Sequence, residues 1–96
     1  MERVFKQIEE DFDTVMSSFG IHGDCHIKYE ESHPEGANYS GVVTCSGNMM
    51  CKNFVWTMQY WPASQTANGF VNMVKAKLFD MLVDVANQAG FDDETS

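Results

Sequence analysis

The chain has 96 residues, 44% of them hydrophobic and 12% aromatic, with 14 acids against 6 bases and a formal net charge of −8. That length makes one domain with a modest core, and the hydrophobic share excludes a disordered chain. The charge argues against direct nucleic-acid binding, because carboxylates repel phosphates, and favours basic partners instead. No apolar run is long enough to span a membrane, and the opening residues form a mixed amphipathic pattern rather than a secretory signal. With 3 cysteines, an odd count, the chain reads as a cytoplasmic protein with reduced thiols.

Residues 2–19 predict a helix. Val4, Phe5, Ile8, Phe12, Val15, Met16 and Phe19 recur at steps of three and four, and Gly20 suits a left-handed cap. Glu2, Glu9, Glu10, Asp11 and Asp13 fall mostly on the opposite side. Residues 25–30 alternate as a half-buried strand, with Cys25, Ile27 and Tyr29 facing inward. The stretch ESHPEGAN is a loop that carries His33. YSGVVTC alternates again over 39–45, and SGNM is expected to turn the chain at its central Gly-Asn. KNFVWTMQYW is the clearest strand, with Phe54, Trp56, Met58 and Tyr60 on one face and Pro62 ending it. A second helix is predicted over 67–89, with Ser64 or Thr66 as N-cap and Gly90 and Phe91 closing it.

The expected fold is α+β: a single α-β-β-β-α domain with a three-stranded antiparallel sheet, both helices on one face and an acidic tail at 92–96. The second helix is apolar around more of its circumference than a two-layer domain can bury. Met73, Phe79, Val83 and Ala86 are therefore candidates for a homodimer interface.

The segment HGDCH holds His22, Cys25 and His26, the densest set of potential ligands in the chain. On an alternating strand Cys25 points into the core while His26 points out, and a short first loop would set Cys25 opposite Cys45. Zinc would need Cys25, Cys45 and Cys51 with His22 or His26 around one ion, and the C-x5-C spacing is longer than the usual knuckle. A small zinc protein remains an alternative on these grounds; the expectation is core thiols, with no metal and no cofactor. There is no phosphate loop, paired-carboxylate motif or serine elbow, so an enzyme is not expected.

The helix–three strands–helix order resembles the double-stranded-RNA-binding domain, over the stretch from Phe12 to Gly90. That family grips RNA with bases at the start of its last helix. Here that helix begins TANGFVNMV, and Lys75 and Lys77 come later. The resemblance therefore implies the fold, used as a dimerisation or protein-interaction module. In size and acidity the chain is also similar to phage-encoded inhibitors of host defence, of anti-CRISPR or anti-restriction type. That likeness implies carboxylates presented to a basic host protein or ribonucleoprotein in place of phosphates, with side chains about 5–7 Å apart along a helix. The candidate contacts are Glu2, Glu9, Glu10, Asp11 and Asp13, with Asp92, Asp93 and Glu94 of the tail.

Overall fold

The computed structural model describes residues 2–32, 34–36 and 38–88. It places α1 at Glu2–Ser18, β1 at Gly23–Glu31, β2 at Gly41–Met49, β3 at Lys52–Tyr60 and α2 at Ala67–Gln88. The strands form one antiparallel sheet in the order β1-β2-β3. This is the expected α+β architecture, with α1 packed on β1 and α2 on β3. Among the described residues no helix is long and apolar enough to cross a membrane.

Helix α1 buries Phe5, Ile8, Phe12 and Met16, a strip at steps of three and four. Val4 and Phe19 were expected on that strip and are exposed instead. Phe19 lies beyond the last helical turn. Gly20, at φ 72°, closes the helix, and the Ile21 N–H donates to the Met16 carbonyl at 2.9 Å. This 6→1 bond is the mark of a Schellman end, and it delivers Ile21 to the core. At the other helix the Gly69 N–H donates to Thr66 Oγ1 at 3.0 Å, which makes Thr66 rather than Ser64 the N-cap. The expected closure by Gly90 and Phe91 and the tail at 92–96 lie outside the described residues, as does His33.

The hairpin between β2 and β3 differs from expectation. SGNM does not turn; β2 runs on to Met49, and the two-residue turn is Met50-Cys51, at φ 53° and 68°. Core burial decides the matter. Continuing the strand carries the odd-numbered alternation through Gly47 to Met49, which is buried. Asn48 then holds the turn from its flank: its Oδ1 accepts from the Cys51 N–H at 3.1 Å, and its Nδ2 donates to Asn53 Oδ1 at 3.0 Å.

The longer β2 also corrects the cysteine register. Cys25 faces Gly47, and Cys45 faces Ile27 on one side and Trp56 on the other. The inward parity holds but the pairing moves by two residues. A Cβ at Gly47 would meet the carbonyl oxygen of Asp24, so the two backbones pass too closely there for any other residue.

Burial is graded across the sheet. The central strand places Val43, Cys45 and Met49 fully inside with Phe70, Val74, Leu78 and Leu82 of α2. On β3 the inward residues Phe54, Trp56, Met58 and Tyr60 are only half-buried. An edge strand has a neighbour on one side alone, and α2 does not reach past it.

Candidate interaction surface

The carboxylates expected to meet a partner divide into two kinds. Glu2, Glu10, Asp11 and Asp13 are exposed on α1. Glu9 is half-buried and already engaged: its Oε2 accepts from the backbone N–H of Ile27 at 2.6 Å. That N–H points away from β2, so Glu9 closes part of the open edge of β1. It is a fold residue rather than a free contact. Asp92, Asp93 and Glu94 lie outside the described residues.

Strand β1 adds acids that the sequence analysis did not single out. Asp24, Glu30 and Glu31 are exposed, and Glu35 follows in the loop. For Asp24 and Glu30 the signal was available in the alternation, which sends even-numbered residues of β1 outward; Glu31 is exposed at the strand's end. One of these acids is partly balanced within the strand, with Lys28 Nζ 3.3 Å from Glu30 Oε1, and the His26 ring lies beside another, Nε2 3.6 Å from Asp24 Oδ2. Residues 2–36 carry nine acids against Arg3, Lys6 and Lys28, while residues 39–88 carry two acids against three lysines. The negative charge of the described chain is thus gathered on α1 and β1.

The field of these acids reaches the core. Burial pushes the Cys25 thiol up to about 12, with Cys45, Glu9, Asp13 and Asp24 adding to the rise. Burial likewise raises Cys45 to about 12, with Glu9 adding to it and Lys77 opposing. Both thiols are held in their neutral, unreactive form. Cys51 is exposed in the turn, away from them. Among the described residues no group of three or more His, Cys, Asp or Glu converges to hold a metal ion. HGDCH therefore splits as its alternation implies, with Cys25 in the core and His26 in solvent.

The candidate dimer residues on α2 also divide. Met73 and Val83 are exposed, at 49% and 54%. Phe79 packs edge-on against Phe12 of α1, with ring centres 5.4 Å apart, and Ala86 is buried in the core. Ala86 is thus corrected from the exposed face to the core, while Phe79 is half-buried with one side against α1. Beside β3, Lys77 Nζ sits 4.9 Å from the centre of the Trp56 ring, and Trp56 Nε1 donates to Met81 Sδ at 3.0 Å. An open groove of about 200 Å³ runs between Phe54 of β3 and Met81 and Val85 of α2.

No family model, curated protein or solved structure matches the chain.

Proposed function

We propose that the chain is a non-catalytic binding protein that docks its α1/β1 side onto a basic protein surface. The surface in view is the kind that a nucleic-acid-handling complex uses to hold phosphates, as an inhibitor of host defence would require. The supporting observation is the segregation of charge: Glu2, Glu10, Asp11, Asp13, Asp24, Glu30, Glu31 and Glu35 are all exposed between residues 2 and 35. Such a field speeds encounter with a positive groove and disfavours acidic competitors. The α-β-β-β-α order supports a protein-interaction module with the topology of the double-stranded-RNA-binding domain. An RNA grip of that type has little support, because α2 opens without a base and Lys77 lies over Trp56.

The test is capture of partners from bacterial lysate at low and high salt, with Glu10→Lys/Asp11→Lys/Asp13→Lys as the comparison. The expected partner is a basic nucleic-acid-binding protein, released by salt or by added nucleic acid and lost with the triple reversal. Glu9 is spared because it serves the fold. Capture that ignores salt and survives the reversal would overturn the proposal.

A further inference from the structure

The two edges of the sheet are treated differently. In antiparallel pairing, alternate residues turn their N–H and C=O groups toward a given neighbour. The Ile27 N–H faces away from β2, so the even-numbered residues of β1 bond to β2 and the odd-numbered residues of β2 bond to β3. Asn53, Val55, Thr57 and Gln59 of β3 consequently direct their backbone groups outward. Among the described residues nothing hydrogen-bonds to that outward backbone. The β1 edge has α1 alongside it and Glu9 bonded to it; the β3 edge has neither.

Strand β3 also lacks the devices that keep edges apart. From Asn53 to Tyr60 it has no charge, proline or glycine; Lys52 and Pro62 stand only at its ends. Exposed apolar side chains gather around it. Val55 is 70% exposed on the strand itself, Met50 and Trp61 flank its two ends, and Met73 extends the stripe of Lys77 and Met81 on α2.

We propose that the open edge of β3 is a self-association seam, at which two copies pair β3 against β3 in antiparallel fashion about a two-fold axis. The occupant is a second copy for two reasons. First, the strand is self-complementary. With the axis at Trp56, Val55 lies opposite Thr57 of the second copy and Asn53 lies opposite Gln59, so β-branched residues meet each other and amides meet amides. Phe54 lies opposite Met58 on the inner face. Every outward N–H then finds a carbonyl, and two three-stranded sheets become one six-stranded sheet. Second, two chains of like charge must approach where charge is least. The β3 edge is opposite the acidic α1/β1 side, so this geometry keeps the two acidic sides at the far ends of the pair. The seam is independent of the docking role proposed above.

Sedimentation equilibrium of the full chain, across a wide range of concentration, tests the proposal together with Thr57→Pro. That substitution removes one outward N–H and leaves the bonds between β3 and β2 in place. The wild type is expected at twice the 10.8 kDa chain mass, with Thr57→Pro at least tenfold weaker in association. Hydrogen exchange on the wild type is the second readout, and it decides the question should the variant fail to fold. The Val55 and Thr57 amides should gain protection as concentration rises. A single-chain mass at every concentration would overturn the seam, leaving the edge to a foreign strand. A doubled mass with freely exchanging Val55 and Thr57 amides would overturn it equally, and would move the contact to another surface.

Discussion

Glu9 is the residue at which charge and fold meet. Its carboxylate takes the Ile27 N–H at 2.6 Å and thereby fixes α1 against β1. A bond to an ionised acceptor contributes more than a neutral one. Glu9→Ala should cost about 1.5–3 kcal/mol in urea unfolding, Glu9→Gln less, and the exposed neighbour Glu10→Ala close to nothing. The thiols give a second prediction at this scale. Cys25 and Cys45 are raised from 9.0 to about 12 in the folded chain. Below pH 9 they are protonated whether the chain is folded or not, and no stability is lost. Between pH 9 and about 12 the unfolded thiols ionise while the folded ones keep their protons. Stability should fall with rising pH through that window, by about 1.4 kcal/mol per pH unit for each thiol. Denaturation midpoints measured through the window check this, and Cys25→Ala/Cys45→Ala should flatten the slope. In native protein at neutral pH a thiol reagent should titrate Cys51 alone.

At the scale of elements, the β2–β3 hairpin shows where local signals gave way to packing. Met50 and Cys51 occupy the left-handed region without being glycine or asparagine. Replacing them by the residues such a turn favours, Met50→Asn/Cys51→Gly, should stabilise the chain by about 1–2 kcal/mol, seen as a raised denaturation midpoint with an unchanged slope. This is also where the sequence misleads. Gly47-Asn48 has the composition of a turn, yet Gly47 is needed where the backbones of β1 and β2 pass closely, and Asn48 serves the turn from beside it. The same displacement moved Cys45 from Cys25 to Ile27. The period-two alternation, by contrast, was legible: Cys25, Ile27, Val43, Cys45, Phe54 and Trp56 all face inward as read. The helix strip Phe5–Ile8–Phe12–Met16 was legible for the same reason, since burial follows period. Two features were not. The engagement of Glu9 depends on where α1 lands beside an edge strand. The packing of Phe79 on Phe12 depends on how α1 and α2 meet. Both follow from tertiary placement, which periodicity does not encode.

At the scale of the whole molecule, the proposed docking side and the proposed seam lie on opposite sides and differ in kind. One is made of exposed carboxylates on α1 and β1; the other is an uncharged strand edge whose neighbours are apolar apart from Lys77 over Trp56. Salt should therefore act on them in opposite senses. Raising ionic strength from about 0.15 M to about 1 M shortens the screening length from about 8 Å to about 3 Å. Docking on a basic partner depends on attraction and should weaken steeply over that range. Self-association of two chains, each with net charge −8, is opposed by repulsion and should hold or tighten. Reversing Glu10, Asp11 and Asp13 to Lys removes the attraction at one side and relieves long-range repulsion at the other, so the triple variant should lose the partner and keep the doubled mass. Thr57→Pro should do the reverse, keeping a salt-sensitive partner as a single chain. Sedimentation of both variants at the two ionic strengths, with and without the captured partner, reads all of these outcomes. Loss of both interactions in either variant would show that docking and pairing share one surface, and would sink the separation of charge from seam.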